Sequence, residues 1–344
     1  MTNQIDKLRV TGDNRYTRKS TVVNGRKWYY LDAPSSAPER GTIFLIHGFP
    51  DLSFTWRYQI PLLTSLGLHC IALDCMGYGS TGTSDSLSNF GFKAHADAIA
   101  TIAQENHISH AIIGGHDWGG ITVYRVAQYY PSLITHIFSV CTPFTPPVEA
   151  FIGTRELVRS GKVPQFGYQL QFGSEEGVVE RAVDGDEGRM RKFLNGLYGG
   201  KTEGGKKFMD PRTGVDLGIV AKGEVERSVL MSEEEIDFYV QEFMKNGIHG
   251  PLNWYRTRKV NWEDEKSIPA SLRTTIRQPV LYILATKDEV LTRDMGRNME
   301  TMCPNLTRGE VPAGHWALWQ TPEQINGLLK GWVEGVVFGG KSKL

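Results

Sequence analysis

Short apolar runs alternate with stretches of helical spacing along most of the chain. Residues 42–46, 70–73, 111–114, 137–141 and 280–285 are continuous apolar or β-branched segments of strand length, and 306–311 is strand-like as well. Runs of this kind with helices between them predict a parallel sheet covered on both faces. A hairpin precedes them, because residues 21–23 and 28–31 are β-prone and flank Asn24-Gly25, a type I′ turn dipeptide. A helix is predicted over 120–130, stopping before Pro131. The last helix opens with Thr321-Pro322, an N-cap followed by proline in the first turn, and carries Ile325, Leu328, Leu329, Trp332 and Val333 on one face. Between about 146 and 264 the alternation disappears, and Gly, Glu and aromatic residues dominate. One helix stands out there. Ser232 and Glu235 form a capping box, followed by Ile236, Tyr239, Val240 and Phe243 on one face until Gly247. The pattern predicts one α/β sheet split by a helical insertion: a core of 1–146 and 265–344, the latter with a C-terminal tail, and a cap of 147–264. Residues 199–207 and 339–344 read as flexible loops.

Composition changes this picture mainly by exclusion. The 344 residues amount to about two domains' worth of chain. Lys+Arg and Asp+Glu are 38 each, so the formal net charge is zero. Without a basic excess the chain is not expected to bind nucleic acid. No apolar run approaches the length a bilayer needs, and the N-terminal residues lack a signal-peptide core. Cys70, Cys75, Cys141 and Cys303 are scattered, which suits a reduced intracellular enzyme better than a disulfide framework or a zinc site.

The chemistry is carried by four short motifs. Gly114-Gly115-His116-Asp117-Trp118-Gly119-Gly120 lies where a strand ends and a helix begins. It has the frame of a nucleophile elbow with aspartate in the serine position, since small residues let a strained turn push one side chain out at the sheet edge. The plainer alternative is a glycine-rich helix entry capped by Asp117. No G-x-S-x-G or cysteine equivalent occurs elsewhere. His47-Gly48-Phe49-Pro50-Asp51 follows the first buried strand; the N–H groups of Phe49 and Trp118 are expected to form an oxyanion hole. Asp288 follows the strand at 280–285, and Gly314-His315-Trp316 lies near the C-terminus, with Glu149 as a second choice for the acid. The order Asp117, Asp288, His315 is the nucleophile–acid–histidine order of α/β-hydrolases.

With these residues in view, the chain resembles the soluble epoxide hydrolases of the α/β-hydrolase fold. HGFPD, DCMGYGS, GGHDWGG, TPF, FGYQLQF, GPLNWYR and AGHW recur in that family in the same order, over roughly residues 16–335. The likeness is to the fungal and plant forms, and no N-terminal phosphatase domain is expected. Met76 stands where the family often has a basic residue. The resemblance implies that Tyr168 and Tyr255 are the ring-opening tyrosines, and that Phe49, Trp118, Tyr168, Gln169 and Tyr255 bind a small-molecule epoxide. Tyr198 and Tyr239 are expected only to pack. The reaction calls for no metal or cofactor. The rivals are a haloalkane or haloacid dehalogenase, which uses the same Asp-His-Asp machinery, and a non-catalytic binding protein of the same fold.

Two further matches are set aside. Gly77 to Gly82 fits G-x-G-x-x-G but precedes a polar loop, and Gly335 to Ser342 fits the P-loop expression where no helix can follow. Ser342-Lys343-Leu344 is the peroxisomal address, so import by a peroxisomal receptor is expected, with the cytoplasm as alternative.

Overall fold

The computed structural model describes residues 5–339. Contacts group the chain into two compact units, Met1–Cys75 with Phe92–Pro147 and Asp264–Leu344, and Met76–Gly91 with Val148–Glu263.

The first unit is built on the sheet. Its strands are β1 (Thr17–Val23), β2 (Arg26–Ala33), β3 (Gly41–Ile46), β4 (Leu68–Leu73), β5 (Ala111–His116), β6 (Ile134–Val140), β7 (Val280–Ala285) and β8 (Leu306–Val311). Their spatial order is β1-β2-β4-β3-β5-β6-β7-β8, eight strands among the described residues. Only β1/β2 and β2/β4 are antiparallel; from β4 to β8 every pairing is parallel. This is the mostly parallel α/β-hydrolase sheet that the apolar runs predict. The hairpin turns on Asn24 and Gly25, both at positive φ (50° and 75°), as a type I′ turn requires. Every residue of β5 and β7 is buried, as expected for central strands covered on both faces.

Boundaries move by a few residues. The helix expected from residue 120 begins at Trp118, directly after Asp117, and ends at Tyr129. Thr321 precedes the last helix, Pro322–Trp332, but its hydroxyl donates to the Ala317 carbonyl (3.2 Å) instead of capping the first turn. No helix among the described residues is long and apolar enough to cross a membrane.

The second unit is mainly helical, and its longest helices are Glu187–Leu197 and Glu233–Met244. The capping box forms as its sequence predicts: the Ser232 hydroxyl accepts the Glu235 N–H at 3.2 Å, and the Glu235 carboxylate accepts the Ser232 N–H at 2.8 Å. Residues 76–91, which the sequence reading leaves in the core, pack with this unit. Tyr78 is buried edge-on to Phe243 (5.9 Å), and the Gly79 carbonyl accepts the Asn246 side-chain N–H at 2.7 Å. A Cβ on Gly77 would lie 2.6 Å from the Gly250 carbonyl carbon, so here the glycine permits backbone-to-backbone contact.

Candidate active site

Asp117 stands between β5 and the helix Trp118–Tyr129 with φ 54° and ψ −122°, a region that non-glycine residues rarely occupy. Its neighbours explain how the turn closes. A Cβ on Gly115 would lie 2.2 Å from the Gly119 carbonyl oxygen, and one on Gly119 would lie 2.1 Å from the Ile46 carbonyl oxygen. Three backbone segments therefore share space that a methyl group would fill. A Cβ on Gly48 would stand 2.3 Å from Asp117 Oδ1, so glycine is also what lets the 47–51 loop meet the carboxylate.

The Asp117 side chain does not cap its helix. Oδ1 accepts the Phe49 N–H at 2.8 Å, and the Trp118 N–H also hydrogen-bonds the carboxylate. The two donors expected to form an oxyanion hole thus converge on the side chain of the expected nucleophile. The loop bearing Phe49 is anchored by buried His47, whose Nδ1 meets the Gly48 carbonyl at 2.8 Å and whose Nε2 accepts the Cys75 N–H at 3.0 Å. Burial pulls His47 down to about 4, so it stays neutral.

His315 completes the group. Its Nδ1 lies 2.8 Å from Asp288 Oδ2, and its Nε2 lies 3.6 Å from Asp117 Oδ2. Asp288 assigns the tautomer, because a proton on Nδ1 leaves Nε2 directed at Asp117. Oδ1 of Asp288 accepts the N–H groups of Val290 (2.8 Å) and Leu291 (3.0 Å), which fixes its plane. Burial would raise Asp288, but His315 and these donors bring it down to about 2. Burial would likewise lower His315, yet Asp288 and Asp117 lift it to about 9. Burial raises the Asp117 carboxyl, against the pull of His315 and the two backbone donors. Glu149, the alternative acid, is exposed.

In the second unit Tyr168 begins the short helix Tyr168–Phe172, and Tyr255 lies in the turn Asn253–Arg256. Their rings meet edge to face at 5.7 Å, with Phe172 against both, and both side chains are buried. Gln169 is half-buried beside Tyr168. Tyr198 and Tyr239 form a separate, fully buried edge-to-face pair at 5.9 Å.

Sequence reasoning passed over three polar residues around the candidate catalytic group. Thr142 donates its hydroxyl to the Asp117 carbonyl at 2.7 Å. His116 Nε2 (2.8 Å) and Cys141 Sγ (3.6 Å) both reach the His315 carbonyl. His116, Cys141 and His315 come within 4.8 Å of one another, a spacing compatible with a cation. Two of these side chains already act as donors to one carbonyl, however, which makes the cluster a positioning network. TPF was visible as a recurring run, but nothing in it signalled a hydrogen bond to the elbow.

This fold, with an acid–base–carboxylate group at the elbow, defines an α/β-hydrolase with aspartate as its candidate nucleophile. The α/β hydrolase fold family matches residues 41–169. An epoxide hydrolase of Neurospora crassa is 39% identical over 312 residues, covering 88% of this chain and 90% of that protein. Epoxide hydrolase A of Mycobacterium tuberculosis is 28% identical, with 93% and 98% covered. The mouse bifunctional epoxide hydrolase 2 is 33% identical over 91% of this chain, which spans 54% of that longer protein. Among solved structures, an epoxide hydrolase from an endophytic Streptomyces superposes with a TM-score of 0.80 at 25% identity, over 95% of this chain and 97% of that one. The chain belongs to the epoxide hydrolases.

Proposed function

We propose that this enzyme opens an apolar epoxide in two steps through a covalent ester on Asp117. The observation that carries the reading is the division of labour between the two carboxylate oxygens. Oδ1 is held by the Phe49 N–H, while Oδ2 is directed toward His315. Oδ2 attacks an epoxide carbon, the C–O bond breaks, and the leaving oxygen takes a proton from Tyr168 or Tyr255. Those phenols fit this role because an alkoxide is a poor leaving group unless it is protonated. The phenolate recovers a proton from the His315 imidazolium, and the now neutral His315 deprotonates a water, which attacks the carbonyl carbon of the ester. The oxyanion forms on Oδ1, where the N–H groups of Phe49 and Trp118 already point, and its collapse releases the vicinal diol and the Asp117 carboxylate. In this reading Phe49, Trp118, Tyr168, Gln169 and Tyr255 bind the substrate.

The test is a single turnover in ¹⁸O water with enzyme in excess. Label is expected in Asp117 first and in the diol only on later turnovers; label in the first diol excludes the ester. A dehalogenase would release halide from chlorinated alkanes and leave styrene oxide largely intact. The Tyr168–Tyr255 pair favours the epoxide, since a halide needs no proton to leave.

Two predictions follow from the charges and the phenols. In the free enzyme the Asp117 carboxylate helps hold His315 near 9, so the imidazole is protonated at neutral pH. Alkylation neutralises Asp117 and removes part of that support, so His315 falls and becomes a base when it is needed. NMR of the free enzyme should therefore place the His315 titration near 9, while the rate of ester hydrolysis rises with pH through a lower midpoint. A common midpoint would separate His315 from this role. Tyr168→Phe should slow alkylation about tenfold or more, as loss of one stabilising donor does, whereas Tyr198→Phe leaves that rate constant unchanged. Equal effects would remove Tyr168 from the ring-opening step.

Ser342-Lys343-Leu344 lies outside the described residues, and we propose it as a peroxisomal address read by the import receptor. A fluorescent reporter ending in these residues should become punctate, and one lacking Leu344 should stay diffuse in the cytoplasm.

A further inference from the structure

The turn that leaves β6 touches both halves of the catalytic group. Asp117 occupies its strained conformation with its carbonyl accepting the Thr142 hydroxyl (2.7 Å) and the Gly120 N–H (2.9 Å). The Thr142 carbonyl in turn accepts the Ser139 hydroxyl at 2.6 Å. Glycine at 120 makes room for this contact, because a Cβ there would stand 2.6 Å from Thr142 Cβ and 2.7 Å from Ser139 Oγ. One residue earlier, Cys141 is itself left-handed, with φ 68°. Its N–H is held by the Ile283 carbonyl on β7 (2.9 Å), its carbonyl accepts the Tyr282 hydroxyl (3.3 Å), and its thiol reaches the His315 carbonyl. His116 donates its Nε2–H to that same carbonyl. Ser139, Cys141, Thr142 and His116 are all buried.

We propose that residues 139–142 act with His116 as a clamp that holds the main chains of nucleophile and base in one register. Thr142 positions Asp117; Cys141 and His116 position His315. The inference rests on the reading of Asp117 as nucleophile and His315 as base. Two strained residues, one in the elbow and one in the clamp, persist because the surrounding hydrogen bonds over-determine them. The 3.6 Å separation of Asp117 Oδ2 and His315 Nε2 depends on both loops at once, and a displacement near 1 Å costs about 10²-fold in rate.

The experiment is rapid-quench kinetics with styrene oxide, with both rate constants expressed per titrated active site. Loss of folded protein then lowers the amplitude and leaves the rate constants alone. Thr142→Val should slow alkylation about tenfold, the worth of one buried hydrogen bond, while Thr142→Ser stays within about twofold of wild type. His116→Phe should slow ester hydrolysis about tenfold with alkylation preserved, and His116→Gln, which keeps an N–H in reach of the His315 carbonyl, should restore much of the rate. Alkylation at the wild-type rate in Thr142→Val, or a Ser variant as slow as the Val variant, overturns the clamp at Asp117. Hydrolysis unchanged in His116→Phe overturns it at His315. Asp117→Ser and His315→Gln test the underlying reading separately: if either turns over normally, that reading fails whatever the clamp variants do.

Discussion

His315→Gln is expected to stop turnover with the substrate still attached. Glutamine keeps much of the size and a polar end but cannot take a proton from water, so the proposed second step loses its base. General-base help contributes about 10²–10⁴-fold, and the hydrolytic rate constant should fall by that amount. In the proposed mechanism alkylation does not use the imidazole as a base. Its proposed nucleophile is the carboxylate, whose Oδ1 remains on the Phe49 N–H. Removing His315 does withdraw one group that favours the ionised form of Asp117. Raising the pH of the measurement favours the charged form of that carboxylate and offsets this loss. One equivalent of epoxide should then be consumed in a burst, and intact-protein mass spectrometry should show the chain heavier by one substrate molecule, with the adduct on the peptide bearing Asp117. A variant that loses activity without accumulating an adduct would show that His315 acts before or during ring opening, and the two-step assignment would fail.

How much of this was visible in the chain depended on the range of the interactions involved. Central strands such as β5 and β7 are buried on both faces, so their sequences are continuous apolar runs and could be read directly. The hairpin followed from Asn24-Gly25 and the second-unit helix from Ser232 and Glu235, because each signal spans only a few residues. Asp117, Phe49, Asp288 and His315 were legible because each sits at a strand exit with telling neighbours, and the sheet brings those exits to one edge. The helix start at Trp118 was placed two residues late, since no propensity describes a left-handed aspartate feeding straight into a helix. Residues 76–91 follow β4 in the chain, yet Tyr78 finds its burial against Phe243 far along the sequence. His116, Cys141 and Thr142 escaped notice for a similar reason. Their partners are main-chain carbonyls brought close by the fold, and a carbonyl leaves no mark in a sequence pattern. Only the glycine at 120, where Thr142 approaches, recorded the contact.

Asp117→Ser offers the sharpest separation between a carboxylate mechanism and any other use of this fold. The variant keeps an elbow, a histidine with its acid and the two backbone donors, and so resembles a serine hydrolase more closely than the natural chain does. If the hydroxyl attacks an epoxide, the product is an ether. It has no carbonyl carbon for water to attack, so neither His315 nor the N–H groups of Phe49 and Trp118 can release it. Steady turnover should therefore fall by about 10⁴-fold or more, as when a nucleophile is removed outright. The chain should be either unmodified or permanently alkylated once. The two adducts differ chemically: hydroxylamine should strip the ester from His315→Gln and leave any ether on Asp117→Ser untouched. Diol formation by the serine variant above about 1% of the wild-type rate would mean that water attacks the epoxide directly or that another side chain is the nucleophile. Either result would leave Asp117 a supporting electrostatic role, and the convergence of Phe49, Trp118 and His315 on its carboxylate would then need a different explanation.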